Sequence, residues 1–217
     1  MGRVSNHWRM AIHAFRRVLI GVALIAALAA CSVPGLWTYD DGSTDAGSSA
    51  TGFDADAAWN QQVLPAIAAK GVDAPELLAA IEKDSAAAAK EHGVVAAEGG
   101  SPTFAIKGSG KVTKVDTEQP TGPVTVDVGG GKTVQIVTGP VILGTALRDI
   151  AGITFGDFTN QLDYQSAGTA LNNKSKTDVI APIDKATLEG KTLEFQGAFT
   201  LLTPTQIQVI PTELKVS

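Results

Sequence analysis

The hydrophobic residues of the chain follow three patterns in succession. Residues 18–30 form a run with no charged side chain. Between residues 54 and 93 the apolar positions recur at helical spacing in two segments that end at Gly71 and Gly93, so we expect two helices there. From Phe104 onward apolar and polar residues alternate, which indicates strands. The pattern therefore predicts helices packed on antiparallel strands, an α+β fold.

Glycines mark the tightest turn of this strand region. In "DVGGGKTV" Gly129, Gly130 and Gly131 permit the positive φ angles that a hairpin turn needs. The same stretch contains "GGGKT", which invites comparison with a phosphate-binding loop. That loop requires a glycine five positions before Gly131, where this chain has Val126, and it opens a helix, whereas this segment opens a strand. We interpret the segment as a turn.

The second half of the chain repeats the order of elements in the first. A short helix is predicted over residues 145–151 and a longer one from Asp157, and alternating strands follow. Gly108 in "FAIKGSG" and Gly197 in "LEFQGAF" hold corresponding places, and a glycine in a strongly bent strand lets a small sheet curl and close. The sequence thus predicts OB-like antiparallel β-barrel units with packed helices and an internal duplication. The predicted units are residues 53–143 and residues 144–217.

The first apolar run has the features of an export signal. Four arginines and no acidic residue precede it, and at 13 residues it is shorter than a membrane-spanning helix, which needs about 20. It ends in "LAAC", which resembles the lipobox of bacterial lipoproteins, where the cysteine is acylated and becomes the first residue. We therefore expect a signal peptide over residues 1–30, followed by a segment over residues 31–52 that consists of a lipidated Cys31 and a flexible tether. A buried thiol in a hydrophobic helix is the alternative.

Lipidation at Cys31 predicts the location of the protein and its first partner. Two acyl signals are enough for stable anchoring, so membrane lipid is the expected partner through the acyl chains of Cys31. Ser32, rather than an aspartate, follows the cysteine, which by analogy with Gram-negative sorting favours the periplasmic side of the outer membrane. The inner membrane, or the cell surface of a bacterium without an outer membrane, stays open.

The composition limits the chemistry of the mature chain. The chain has 17 Lys and Arg against 22 Asp and Glu, and four of the arginines leave with the signal. The remainder is strongly acidic, so we expect no nucleic-acid partner. Cys31 is the only cysteine and His92 the only histidine after the signal, which largely excludes Ser-His-Asp or Cys-His catalysis and His-based metal sites. We expect no enzyme activity, no catalytic residue, no metal and no cofactor.

A strip of amide side chains is the first part of a candidate ligand site. Gln161, Gln165, Gly168 and Asn172 are spaced four, three and four residues apart, which places them along one side of a helix. Amides both donate and accept hydrogen bonds, so the strip suits sugar hydroxyls or another backbone. The alternative is that the strip satisfies strand or loop backbone groups of the protein itself.

Arg148 is the second part of this candidate site, and it is the only arginine after the signal. Its planar fork suits a carboxylate or phosphate of a ligand. The alternative is an internal ion pair with Asp149, Asp157 or Asp163. The candidate ligand-binding residues are Arg148, Asp157, Asn160, Gln161, Gln165 and Asn172.

Four motifs of the chain resemble a known family. They are "GTALRD" at residues 144–149, "FGDFTNQ" at residues 155–161, "ALN" at residues 170–172 and "FQGAFTL" at residues 195–201. Together they resemble the predicted periplasmic lipoproteins of unknown function (DUF2291), and the resemblance covers essentially the whole chain after the tether. It implies an exported, anchored protein whose genes often lie beside those of sugar ABC transporters. It implies no established activity, so no catalytic residue follows from it.

Three functions are compatible with these features. The first is a membrane-anchored, non-enzymatic accessory or binding protein associated with sugar ABC transport, which contacts transporter components or a small polar ligand. The second is a purely structural or assembly lipoprotein. The third is a hydrolase that acts through paired carboxylates, because 22 acidic residues supply many pairs, although their placement singles out none.

Overall fold

The computed structural model describes residues 52–217. Cys31, the predicted signal peptide and all of the predicted tether except Gly52 lie outside the described residues. The described part combines helices with a six-stranded sheet, so the predicted α+β class is confirmed. None of its helices is both long and apolar enough to span a membrane.

The first helix contains a π-helical turn. α1 (Ala55–Ala58) continues into the π-helical residues Trp59–Val63 and then into α2 (Leu64–Lys70). The carboxylate of Asp54 starts the helix, because it accepts a hydrogen bond from a backbone N–H of the first turn at 2.8 Å. The predicted end is confirmed, since Gly71 follows the last helical residue with an extended backbone.

The second predicted helix is in fact two helices. α3 (Ala74–Lys83) and α4 (Ser85–His92) are separated by Asp84, whose backbone is extended. The Asp84 carboxylate accepts hydrogen bonds from the N–H groups of Ala86 and Ala87, both at 3.0 Å, and so caps α4. An aspartate competes with the helix for backbone donors, which explains a break inside an otherwise helical pattern.

Six strands form the sheet: β1 (Val72–Asp73), β2 (Thr103–Val115), β3 (Pro123–Gly129), β4 (Lys132–Val137), β5 (Thr192–Thr200) and β6 (Gln208–Val216). Their order is β1-β2-β3-β4-β6-β5, and β2 also pairs with β5, so the strands from β2 to β6 form a closed circuit of pairings. Most neighbours are antiparallel, as predicted. β1 with β2 and β4 with β6 are parallel.

The circuit closes because β2 changes partners along its length. Residues 103–111 pair with β5, and residues 111–115 pair with β3. At this change Gly110 leaves room for β3, since a Cβ on Gly110 would lie 2.0 Å from the carbonyl oxygen of Asp127. A larger residue there would push the two strands apart.

Five helical segments lie between β4 and β5: α5 (Ala146–Ile150), a 3-10 turn (Phe155–Asp157), α6 (Gln161–Lys174), a π-helical turn (Ser175–Ile180) and a second 3-10 turn (Lys185–Thr187). The predicted start of the long helix at Asp157 is wrong. The cap of α6 is Asn160, whose Oδ1 accepts a hydrogen bond from the N–H of Asp163 at 2.9 Å. Asp157 instead closes a capping box on the 3-10 turn.

Two apolar clusters cover the two faces of the sheet. Phe104 and Ile106 of β2 belong to a cluster that packs against α3 and α4. Ala105, between them, belongs to a second cluster, which packs under the first helix, α5 and α6. Successive residues of a strand point to opposite faces, so β2 is buried on both sides at residues 103–106.

The strands of the two predicted units belong to one sheet. β2, from the unit over residues 53–143, pairs from Thr103 to Lys111 with β5, from the unit over residues 144–217. β4 and β6 also pair across the two units. An internal duplication is not shown by this arrangement.

Candidate functional site

Arg148, on α5, makes its polar contacts inside the protein. Its Nε and Nη2 donate to Asp149 Oδ1 at 2.9 and 2.8 Å, and its Nη1 donates to the carbonyl oxygen of Tyr164 at 3.2 Å. Its guanidinium carbon lies 3.6 Å from the centre of the Tyr164 ring, which adds a cation–π contact. Of the three acids considered as internal partners, Asp149 is the one that Arg148 contacts.

The partner of Arg148 is equally engaged. Asp149 Oδ2 accepts a hydrogen bond from Thr145 Oγ1 at 2.7 Å, so both carboxylate oxygens have partners. Arg148 is 7% exposed and Asp149 is 8% exposed. Buried charges of this kind are tolerated only when they are paired and hydrogen-bonded, and these two meet that condition within α5.

Gly168 and Asn172, from one end of the predicted strip, face the protein interior. A Cβ on Gly168 would lie 3.1 Å from Cγ2 of Thr145, so the glycine lets α6 approach α5 closely. Asn172 is buried, and its Nδ2 donates to the carbonyl oxygen of Gly144 at 2.9 Å. Its Oδ1 has no hydrogen-bond partner among the described residues.

Gln161 and Gln165, from the other end of the strip, are exposed on α6. The predicted strip is therefore divided, with two amides in solvent and Asn172 buried. The spacing of residues along a helix shows which of them share one side of the helix. It does not show how far along that side a neighbouring segment of the protein covers them.

Asp157 and Asn160 lie at the surface in the connection before α6. Asp157 Oδ2 accepts hydrogen bonds from the N–H and the hydroxyl of Thr154 at 2.8 and 3.1 Å. Asn160, besides capping α6, donates from Nδ2 to Asp163 Oδ2 at 2.9 Å. The structure thus places Arg148 and Asn172 inside the protein, while the other four candidate residues are outside.

Asp157 lines an open cleft of about 580 Å³. The cleft lies between the start of the first helix and the connection that leads into α6, and its lining includes Phe53, Asp54, Gln61, Gln62, Phe158 and Asp163. A cleft of this size is in the range of small-molecule sites. We call it the α1–α6 cleft.

Aromatic rings join this cleft to the buried ion pair. The ring centres of Phe53 and Phe158 are 5.8 Å apart, and those of Phe158 and Tyr164 are 5.5 Å apart. Phe155 meets Tyr164 edge-on at 5.9 Å. Tyr164 also contacts the guanidinium of Arg148, so the aromatic wall of the cleft packs against the buried ion pair.

Gln61 and Gln62 are the cleft residues that the sequence did not reveal. Both lie on the π-helical turn at Trp59–Val63, and both are exposed. π-helical turns in proteins are frequently found at functional sites. The apolar spacing of this helix carries no mark of the turn, so sequence reasoning had no reason to select these amides.

The charges of the cleft have one sign. Asp54, Asp157 and Asp163 line it, and none of the described residues that line it is a Lys or Arg. Each of the three carboxylates already accepts a hydrogen bond from within the protein. The cleft therefore disfavours an anionic ligand.

Lys174 forms ion pairs with two aspartates, one on α1 and one just after α6. Its ammonium group contacts Asp178 Oδ2 at 2.6 Å, near the end of α6, and also pairs with Asp56 on α1. The hydrogen bond from Lys174 holds the pKa of Asp178 below its usual value of 3.8, and the same contact raises the pKa of Lys174. The bridge links the first helix to α6.

No group of three or more His, Cys, Asp or Glu side chains in residues 52–217 is arranged to hold a metal ion.

The closed order of strands and the helices around it define the class of protein. A crystal structure of an OB-fold protein from Thermotoga maritima is similar, with a TM-score of 0.62 and 23% sequence identity, over 76% of this chain and 99% of that chain. At this level of identity the likeness shows the fold alone. The described chain is an α+β protein related in fold to the OB class.

The family follows from the sequence match. Residues 21–215 match the family model described as predicted periplasmic lipoprotein (DUF2291), and the chain belongs to that family. This confirms the resemblance and the predicted location in the cell envelope. None of the curated proteins matches the chain.

Proposed function

We propose that the protein is a non-enzymatic accessory lipoprotein of the envelope that holds a small polar ligand in the α1–α6 cleft. It is anchored by acyl chains on Cys31, and it works beside a sugar ABC transporter. The observation that carries the proposal is the lining of the cleft, where the rings of Phe53 and Phe158 stand beside the amides of Gln61 and Gln62.

This lining favours a neutral, hydroxyl-rich ligand. Aromatic rings offer apolar faces, while amides donate and accept hydrogen bonds and so match hydroxyl groups. Asp157 and Asp163 add acceptors for hydroxyl donors, and they repel phosphate or carboxylate groups. A sugar meets all of these conditions, which supports the association with sugar transport.

The fold gives less specific support for the same proposal. We interpret the closed circuit of β2, β3, β4, β6 and β5 as an OB-like barrel. OB-like barrels bind oligonucleotides and oligosaccharides. The acidic charge of this chain opposes nucleic acid, so the saccharide class is the one that remains.

A second candidate function is structural, and the contacts of Arg148 favour it. All three nitrogens of Arg148 donate within the protein. An arginine used in this way holds α5 and α6 together and leaves little of its fork for a ligand.

The test is a calorimetric titration of the full-length lipidated protein with neutral mono- and oligosaccharides and with the neighbouring transport components. Gln61→Ala combined with Gln62→Ala removes the amides of the cleft, and we expect binding to weaken at least about tenfold, as loss of hydrogen bonds to a ligand does. Gln165→Ala is the matched control, because Gln165 is an exposed amide on α6 that does not line the cleft. Loss of binding in Gln165→Ala with normal binding in the double variant would assign the ligand to the strip and refute the cleft.

A further inference from the structure

The ring of Phe158 lines the α1–α6 cleft from a segment without regular secondary structure. Phe158 lies between the 3-10 turn and the cap of α6, its backbone is extended, and its side chain is only partly buried. The side chain at such a position has several rotamers open to it. It keeps one orientation only if neighbouring side chains hold it there.

Tyr164 is placed to hold this ring. The centres of the two rings are 5.5 Å apart and their planes are tilted by 52°. Aromatic pairs favour tilted or offset arrangements at this distance. Tyr164 lies near the start of α6, so its support for Phe158 comes from a regular helix.

Tyr164 is itself fixed by contacts with the buried ion pair. Its carbonyl oxygen accepts a hydrogen bond from Arg148 Nη1 at 3.2 Å, and the guanidinium carbon lies 3.6 Å from the centre of its ring. Phe155 meets the same ring edge-on at 5.9 Å. The hydroxyl of Tyr164 has no hydrogen-bond partner among residues 52–217, so the contacts that fix it involve its ring and its backbone.

We propose that Tyr164 is a positioning residue of the α1–α6 cleft. It holds Phe158 in the orientation that contacts the ligand and so sets the affinity of the cleft, although Tyr164 does not line the cleft itself. A ligand that binds a mobile ring must immobilise it and loses affinity, whereas a ring that is already held carries no such cost. The proposal rests on the proposed function, because that function places the ligand in the cleft.

Two substitutions of Tyr164 test the proposal in the full-length lipidated protein, in detergent micelles. Tyr164→Leu removes the ring that holds Phe158, while Tyr164→Phe keeps this ring and removes only the hydroxyl. We expect Tyr164→Leu to weaken the binding of neutral saccharides about three- to tenfold, as the immobilisation of one freed side chain does. Tyr164→Phe should bind like the wild-type protein. Calorimetry with a panel of neutral saccharides that includes D-glucose and maltose measures these affinities.

An NMR measurement on the same proteins reports the orientation of Phe158 without a ligand. Three-bond couplings from Cγ to the backbone nitrogen and to the carbonyl carbon give the χ1 rotamer of each phenylalanine. Phe158→Leu identifies the signal of Phe158 among the seven phenylalanines of the chain. We expect one rotamer in the wild-type protein and in Tyr164→Phe, and averaging between rotamers in Tyr164→Leu.

Two further variants separate positioning from stability. Phe199 is buried in the cluster on the other face of the sheet, where it stacks on Phe104. Phe199→Leu should therefore lower Tm but leave saccharide binding and the rotamer of Phe158 unchanged. Arg148→Lys keeps a cation beside Asp149 and loses the planar group over Tyr164, so it should weaken binding in the same direction as Tyr164→Leu, by a smaller factor.

Two results would overturn the proposal. The first is a single, unchanged rotamer of Phe158 in Tyr164→Leu. The second is equal weakening of saccharide binding in Tyr164→Leu and Phe199→Leu, which would make the effect one of general stability. If no saccharide of the panel binds the wild-type protein, while Tyr164→Leu frees the ring of Phe158 as expected, the proposed function fails and the role of Tyr164 in orienting Phe158 stands.

Discussion

Arg148 and Asp149 are neighbours in sequence and are both buried, so each charge depends on the other. Asp149 Oδ1 receives two of the donors of Arg148, and its other oxygen is occupied by Thr145. Removal of either residue would leave an unpaired charge in a low-dielectric interior. Such a loss costs more than the net stabilisation that the pair contributes when it is intact.

Arg148→Met is therefore expected to lower the free energy of unfolding by about 3–5 kcal/mol. In a chain of this length that corresponds to a fall of roughly 2–4 °C in Tm for each kcal/mol. Denaturant unfolding of the variant measures it, and Lys83→Met, which removes an exposed cation on α3, is the control. The pair Arg148→Met and Asp149→Leu should lose less than the two single changes combined, and equal losses would contradict the account.

The partner of Arg148 could not be chosen from the sequence. Three aspartates lay within reach along the chain, and the choice depends on the other hydrogen bonds that each of them makes. Asp157 is occupied by its capping box and Asp163 by the connection before α6. Local motifs identify acids that can cap a helix, but they do not show which acid is left for the arginine.

At the scale of elements, α5 and α6 meet where Gly168 faces Thr145. Gly168→Ala would raise the helix propensity of α6 by roughly 1 kcal/mol, but its Cβ would lie 3.1 Å from Cγ2 of Thr145. Thr145 is held by its hydrogen bond to Asp149, so it cannot move aside freely. We expect a net loss of about 1–2 kcal/mol, measured by thermal unfolding.

A second substitution tests the cause of that loss. Thr145→Ser removes Cγ2 and keeps the hydroxyl that bonds to Asp149, so it should restore the stability of Gly168→Ala. Gly156→Ala is the control, because its Cβ would meet only Thr154 Oγ1, at an ordinary 3.7 Å. If Thr145→Ser gives no rescue, the close approach of α5 and α6 is not the cause.

The bridge from Lys174 to Asp178 and Asp56 predicts a pH dependence. The pKa of Asp178 is lowered in the folded state, so its contribution is complete above its usual value of 3.8 and is lost as the pH falls through the folded value. The bridge is near the surface, so this contribution is below about 1 kcal/mol. A carboxyl NMR titration should show the pKa of Asp178 return towards 3.8 in Lys174→Met. Lys176→Met should leave it unchanged, and an unchanged pKa in Lys174→Met would refute the bridge.

The elements were predictable to the degree that they depend on apolar spacing. The strands, the glycine hairpin after β3 and the short helix at α5 follow the alternation and turn residues of the sequence. The π-helical turn at Trp59–Val63 and the break at Asp84 could not be predicted in this way. Each replaces a few backbone hydrogen bonds without altering the spacing of apolar residues in the sequence.

At the scale of the whole molecule, closure of the strand circuit depends on close backbone contact. Gly110→Ala would place a Cβ 2.0 Å from a carbonyl of β3, so the strands must separate, and we expect a loss of at least about 3 kcal/mol. Ser109→Ala, at the exposed neighbouring position, should change stability by less than about 0.5 kcal/mol. Denaturant unfolding curves of the two variants measure this loss. Similar curves would contradict the view that closure of the strand circuit depends on the close contact at Gly110.

The pairing of strands between the two halves of the chain could not be predicted from the sequence. Similar orders of helix and strand suggested an internal duplication, which the structure does not show; what it shows is that β2 and β5, one from each half, pair along their length in one sheet. Pairing between strands that are distant in sequence depends on which strand edges of the whole sheet must be covered. A comparison of one sequence segment with another does not contain that information.

The position of Phe53 has a mechanical consequence. It is both a wall of the cleft and the second residue of the described body, so a pull transmitted through the chain from an anchored Cys31 arrives first at its contact with Phe158. In the proposed function a ligand in the cleft would lie against this pair of rings, so a displacement of Phe53 would remove part of the wall that holds the ligand. If the proposed anchor and the proposed ligand are both present, tension on the chain would therefore weaken ligand binding, and ligand would be released when the folded part is drawn away from the membrane.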